Sequence, residues 1–512
     1  MATKITRREF LDQGSKGILL AATVPYFLQS NVSSAFAASS MGLQDYYDHF
    51  IVDESILKGI MSEALAYGGD YCDVFFQHKI NNYIGLQDKA VNRAYSNVDF
   101  GVGIRVLKGV QTGYSFTEEI TPKAMKLAAK TAATIANSSK QVDPVQFKLH
   151  THPNYYPIET PWEDVPIDRK IPYLQEINEK VFAADKRIVK SNIWFSNETS
   201  YILFANSEGR LTYDYQPMGA ISVNCTAEQD GKRESNGYTI SGRNGIEFLT
   251  PKSIDRVVKE ATRKTVDLFK AIKPEGGEME VVLAAGSSGI LLHEAIGHGM
   301  EADANRKEES IFSDKIGKPV AEKFVTIVDD GRDSNARGSI NIDDEGNDTE
   351  RTMLVEDGIL RSYMHDRLSS RHYNLKPTGN GRRQSFRFSP LPRMRNTYML
   401  PGPHTKEEII GSVKKGLYAE YFTNGEVRIG PGDFTFYVKS GMLIEDGKLT
   451  SPVKDINIIG NGPQVLEDIV MVGDDLKISE SGWNCGKGGQ FVPVSMGLPT
   501  VKVSKITVGG VS

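Results

Sequence analysis

The sequence predicts an α+β protein of two domains, with mixed and antiparallel sheets against packed helices. Three observations carry this. Helical and strand patterns come in runs, without strict βα alternation. Residues 187–243 alternate between the turn signals Asn206-Ser207-Glu208-Gly209, Gln229-Asp230-Gly231 and Ser235-Asn236-Gly237, as in an antiparallel meander. Lys273-Pro274-Glu275-Gly276-Gly277 then breaks the chain. Domains are expected over 38–273 and 278–512, the second opened by a strand and a helix bearing histidines.

At the N-terminus, Thr6-Arg7-Arg8-Glu9-Phe10-Leu11 precedes an apolar run, Gly17 to Leu28, and Ala35-Phe36-Ala37 offers a cleavage site. Residues 1–37 resemble a twin-arginine (Tat) signal, and the expectation is an exported, periplasmic or extracytoplasmic protein. The apolar run is too short, and too broken by Pro25, for stable membrane insertion. Composition is that of an ordinary globular chain: 512 residues, 39% hydrophobic and 24% charged. A net charge of −5 disfavours a nucleic-acid partner. Three cysteines, Cys72, Cys225 and Cys485, make no disulfide framework.

The elements follow in order. Asp53 to Tyr67 reads as an amphipathic helix, with Ile56, Leu57, Ile60, Met61, Ala64 and Leu65 on one face and Asp53 or Ser55 as cap. Asp70 to Ile80 alternates like a strand, with Cys72 packed inside it. Phe100 to Val106 and Gln111 to Phe116 form a hairpin about Lys108-Gly109. Thr121-Pro122 starts a helix that Ser138-Ser139 ends. Residues 140–165, with His150 and His152, read as a long connection. Pro166 to Asp185 and Thr250 to Ile272 read as helices flanking the meander, and Cys225 packs in one of its strands.

In the second half, Glu280 to Ala285 reads as a strand leading into Leu291-Leu292-His293-Glu294-Ala295-Ile296-Gly297-His298-Gly299-Met300. Imidazole is a good Zn²⁺ ligand, and a carboxylate beside a metal-activated water can act as general base. The spacing, however, is H-E-x-x-x-H. At about 100° per residue, a regular α-helix would hold the two rings about 140° apart. A π-type turn would bring them together, and Gly297 and Gly299 would ease such a distortion. A catalytic zinc needs a third ligand. Cys485, set among glycines beside Lys487, is the best candidate, with Glu301 the runner-up. Asp343-Asp344-Glu345-Gly346 could bind a hard cation but reads better as a solvated or backbone-capping turn, and Thr378-Gly379-Asn380-Gly381-Arg382-Arg383 as an exposed loop. Leu354 to Leu360 and Leu443 to Leu449 read as hairpins.

The stretch His293 to Glu301, with Asn305-Arg306, closely resembles the signature of the TldD/PmbA metalloprotease family (the modulator of DNA gyrase family), on its TldD side. The likeness continues through Val328-Asp329-Asp330-Gly331, Arg337-Gly338-Ser339, Ile342 to Gly346, Pro377 to Arg383, Pro392-Arg393-Met394, Asn396 to Met399 and Met471-Val472-Gly473. It closes on Cys485-Gly486-Lys487, Gln490, Pro493-Val494 and Thr507 to Gly510. It covers nearly all of 280–512, and more loosely Gly101 to Val106 and Tyr114 to Pro122. The resemblance implies a zinc-dependent peptidase acting on unfolded or short peptides, with Zn²⁺ on His293, His298 and Cys485 and catalysis by Glu294. It also implies a homodimer or a heterodimer with a PmbA-type relative. Arg383, His365 and Tyr398 are the candidates for oxyanion stabilisation. Two other readings stay open: a zinc amidase acting on cell-wall peptides, and a peptide-binding or maturation subunit with a structural metal.

Overall fold

The computed structural model describes residues 41–136 and 144–510. The first half is built on one seven-stranded sheet. The strands Gln111–Thr117, Ala90–Lys108, Tyr71–Gln87, Ile188–Asn206 and Arg210–Gln229 lie side by side in that order. Lys148–Leu149 and Lys232–Gly242 both pair with Arg210–Gln229. Two helix pairs cover different parts of this sheet. Glu54–Leu65 and Pro122–Ala133 bury Leu57, Ile60, Met61 and Met125 against Val74, Phe76, Val102 and Ile104. Ile167–Ala184 and Pro251–Val266 bury Leu174, Ile177, Val257 and Ala261 against Ile193, Phe195 and Val223.

The helix starts are set by side-chain caps. The Asp53 carboxylate accepts the Ile56 amide at 2.8 Å. Thr121 accepts the Ala124 amide and Thr250 the Ser253 amide, each at 3.2 Å, with Pro122 and Pro251 at the first helical position. The expected helix end at Ser138-Ser139 lies outside the described residues.

Two expectations in this half change. The strand begun near Asp70 runs on to Gln87, held by antiparallel pairing to Ala90–Lys108. Tyr83 and Tyr95 face each other there with rings stacked at 4.9 Å. The expected turn at Ser235-Asn236-Gly237 is instead part of the Lys232–Gly242 strand. Asn236 is buried and donates to the Lys264 carbonyl at 3.3 Å, and a Cβ at Gly237 would press on the Val223 carbonyl. The glycine serves close packing between strands, not a turn.

In the second half, the strands Lys448–Asn461, Asp433–Glu445, Lys415–Val427, Gly277–Leu283, Val501–Gly510 and Ile469–Val472 form a six-stranded sheet. Pairing between Lys448–Asn461 and Val501–Gly510 folds this sheet back on itself. A second six-stranded sheet contains Ile327–Asp330, Asn396–Met399 and Ser495–Leu498. The largest core lies between them and takes in Ile290, Leu291, Leu292 and Ile296. The architecture is α+β, as the patterning predicted.

The loop Thr378 to Arg383 is buried, not exposed. Asn380 donates to the Asp329 carboxylate at 2.8 Å and to the Arg393 carbonyl at 2.9 Å. Asp343 is also buried, and its carboxylate caps the amides of Glu345, Asn347 and Gly381. Capping thus holds for the acidic turn, while solvation does not.

Candidate metal centre

The strand Gly277–Leu283 ends in the middle of its sheet and feeds a short helix, Ile290–Leu292. A π-helical turn follows over His293–Gly297, then a tighter 3₁₀ turn over His298–Met300. The wider turn places residues i and i+5 on one side. The two imidazoles meet edge to face, with centroids 5.1 Å apart. The glycines act differently from the sequence expectation. Gly297 has ordinary helical dihedrals, φ −58° and ψ −49°. What excludes a larger residue is space: a Cβ at Gly297 would overlap the Met394 thioether, and one at Gly299 the Phe312 ring.

Cys485 comes from a separate hairpin, Asn484–Lys487 against Gln490–Pro493. Arg393, fully buried, donates to the Cys485 carbonyl and holds this hairpin over the turn. The ligand atoms of His293, His298 and Cys485 lie within 4.8 Å of one another, and all three residues are buried. Cys485 Sγ is 3.4 Å from His298 Nε2.

The surroundings prepare these groups. His298 Nδ1 lies 2.9 Å from the Glu301 carboxylate, which turns Nε2 towards the Cys485 sulfur. Lys487 holds the same carboxylate at 2.9 Å and Asp303 at 2.6 Å. Burial alone would raise the Cys485 thiol, but His293 and His298 outweigh it and hold the thiol well below its usual range. Cys72 and Cys225 have no such neighbours, and burial pushes both up. The chain thus has one cysteine favoured as thiolate and two kept as packing thiols. Glu294 reaches the group from the side, its carboxylate 3.8 Å from His298 Nε2. Burial raises its pKa, and the two imidazoles partly offset the rise.

Two imidazoles and a thiolate are a borderline-soft donor set suited to Zn²⁺, with the geometry of a three-ligand site. The buried Nδ1 of His293 has no hydrogen-bond partner among the described residues, as befits a site completed by a further group. The residues fit a zinc ion.

The three oxyanion candidates are engaged elsewhere. Arg383 donates to the Asp344 carbonyl at 2.7 Å and lies over the Phe75 ring. His365 packs against Tyr363 and Tyr373. Tyr398 donates to Asp333 at 3.3 Å. Glu301 stands as a hydrogen-bond partner of His298. The sequence pointed to Lys487 as the basic neighbour of Cys485, but not to its pairing with Glu301 and Asp303 or to Arg393 as parts of the centre. One signal was available: on a strand, Lys487 shares a face with Cys485.

Models of three consecutive segments of one family match the chain. They are the PmbA/TldA metallopeptidase domain 1 over residues 72–136, the central domain over 160–269 and the C-terminal domain over 276–510. The chain is 38% identical over 448 residues to the metalloprotease TldD homolog of Haemophilus influenzae, covering 86% of this chain and 93% of that one. It is 28% identical over 458 residues to the zinc metalloprotease TldD homolog of Saccharolobus solfataricus, covering 88% and 99%. Among solved structures it resembles a protein described as a modulator of a DNA gyrase from Thermotoga maritima. The TM-score is 0.72 at 21% identity, over 89% of this chain and 99% of that one. TldE from Thermococcus kodakarensis gives 0.69 at 17% identity, over 88% and 100%. The expectation of export is overturned, because the TldD homologues it matches are generally cytoplasmic. The Arg7-Arg8 reading itself lies outside the described residues. No helix among the described residues is long and apolar enough to cross a membrane. With three segment models matched in order and a 38% identical relative aligned over most of both chains, the chain belongs to the PmbA/TldA metallopeptidase family, the TldD/PmbA family of the motif resemblance.

Proposed function

We propose that this chain is a zinc-dependent peptidase that hydrolyses unfolded or short peptides. His293, His298 and Cys485 hold the ion, and Glu294 is the general base. The observation that carries the reading is the convergence of three buried ligand atoms within 4.8 Å, with a carboxylate at their edge. The names of the matched relatives support the peptidase class. When bound, Zn²⁺ supplies a Lewis acid that acidifies a water molecule and polarises a carbonyl. Glu294 takes the proton of the attacking water on its free carboxylate oxygen and delivers it to the leaving amine nitrogen. Its raised pKa suits both halves of that task. Glu301 fixes the tautomer and orientation of His298. The Lys415–Val427 strand pairs with Gly277–Leu283 only through Ala419. Beyond Glu420, whose carbonyl accepts from Ser287, no strand among the described residues pairs with this edge, which runs on towards Gly425, where a Cβ would stand 3.5 Å from the Glu294 side chain. A peptide adding along that edge would be held by its backbone, with little side-chain preference. Association with a second chain, its own copy or a PmbA-type relative, belongs to the same proposal.

The test is metal content by mass spectrometry, with hydrolysis of short peptides and unfolded casein. The wild type should hold about one zinc per chain, as a single three-ligand site requires. Cys485→Ser should lose it, and Glu294→Gln should keep the metal without turnover. Turnover by Glu294→Gln at the wild-type rate would overturn the role of Glu294. Metal retained with no peptide cleavage would leave the structural-metal reading, and cleavage confined to cell-wall peptides the amidase reading.

A further inference from the structure

Away from the metal centre, a cleft of about 540 Å³ opens at the seam between the segments 160–269 and 276–510. Lys264, on the helix Pro251–Val266, lines it and is 7% exposed. Its ammonium lies over two rings, 4.1 Å from the Tyr421 centroid and 4.8 Å from that of Tyr238.

The cations of this cleft fall into two groups. The guanidiniums are matched by the carboxylates of the cleft itself. Arg256 pairs with Glu480 at 2.6 Å, and Arg263 with Glu260 and Glu420 at 2.9 Å each. The lysines are matched less closely: Glu420 and Glu260 act on Lys264 only at a distance, without an ion pair. Among the described residues, Lys264, Lys406 and Lys477 have no ion pair with a carboxylate. Lys406 rests on the Tyr418 ring at 5.0 Å, and Lys477 is exposed. A buried ammonium is ordinarily paired, because burial disfavours its charged form. Cation–π contact offsets that only in part. Three amines without a carboxylate ion pair around one cavity, with tyrosine rings between them, form the complement of an anion on an organic body. The volume falls within the range of roughly 300–1,000 Å³ of small-molecule sites and exceeds what a bare oxyanion fills.

We propose that this cleft binds a small organic ligand through a compact oxyanion, phosphate or carboxylate, with Lys264 as its counter-charge and Lys406 and Lys477 at its sides. The proposal does not rest on the peptidase reading: Lys264, Lys406 and Lys477 are not among the metal-site residues, although Glu420 and Tyr421 of the cleft lie on the strand whose far end carries the proposed peptide edge.

Titration calorimetry of the full chain at fixed ionic strength tests it, with inorganic phosphate and succinate as separate probes. Saturable binding of at least one probe is expected. Binding of phosphate alone assigns a phosphate-bearing ligand, and of succinate alone a carboxylate. Lys264→Met should weaken binding about tenfold, the worth of one charge-assisted hydrogen bond. Lys477→Ala should weaken it several-fold without touching the core. The proposal is overturned if neither probe binds saturably, or if both variants bind as the wild type does, which would place the anion elsewhere. If Lys264→Met does not fold, Lys477→Ala decides alone, and an unchanged affinity overturns the proposal.

Discussion

At the scale of single residues, the metal centre depends on groups that never touch the ion. Glu301 is fully buried and shared between His298 and Lys487. Glu301→Gln would keep the shape and halve the reason for His298 to point its Nε2 inward. A loss of roughly 10- to 100-fold in zinc affinity is expected, the usual worth of such a partner. Competition with a chelator measures it, and an unchanged affinity would make Glu301 a packing residue. Asp333 carries a second residue-scale prediction. Burial first, then Asp330, push its carboxyl up to about 6. Its unfolded value is about 3.9. Because the folded value is the higher, the stability it contributes is full below the unfolded value and lost as pH rises through the folded one. The thermal midpoint of the wild type should therefore fall relative to that of Asp333→Asn as pH rises from about 4 to about 7. Parallel pH profiles of the two proteins would refute this.

At the scale of elements, the π-helical turn converts an awkward spacing into a site. Its need was legible in H-E-x-x-x-H, because a regular helix separates the two rings. The reason for Gly297 was not legible, since Met394 lies almost a hundred residues away in sequence. Gly297→Ala forces a methyl into that thioether. Overpacking of this kind costs about 1–3 kcal/mol, and the turn relieves it by moving His298. Both a lower denaturant midpoint and weaker zinc binding are expected; a stable variant with full zinc would show that Met394 yields instead. Elsewhere, periodicity located helices well, because their apolar faces and end signals are local: Asp53 caps as expected, and the helices expected to start at Thr121 and Thr250 begin there, capped by those side chains. Strand ends were less legible. The strand continued past Ile80 because of cross-strand partners such as Tyr95, which no local pattern announces.

At the scale of the whole molecule, the first sheet and the metal-bearing half are joined by buried charge. Arg105, on the Ala90–Lys108 strand, is fully buried between Asp73 of its own sheet and Glu345 of the second half. Arg383 completes the cluster from the loop that sequence reading placed at the surface, 3.6 Å from Asp73. The loop's basic and glycine-rich composition suggested exposure. Its burial follows from partners, Asp73, Asp344 and Tyr114, that lie far away in the chain. The site ligands could be read from donor chemistry and spacing, but this junction depends on which distant charges meet. Such clusters contribute little net stability when complete and lose much when broken, because the remaining charges stay buried. Arg105→Met would leave Asp73 and Glu345 facing each other without their shared cation. A loss of about 3–5 kcal/mol is expected. Urea unfolding followed by tryptophan fluorescence reads it, since Trp162 and Trp194 report on the first sheet and Trp483 on the second half. Because Arg105 ties the two halves, all three signals should move to lower urea together. A shift confined to Trp162 and Trp194 would mean that the halves unfold independently, and a shift below about 1 kcal/mol would mean that the carboxylates take up protons and need no cation.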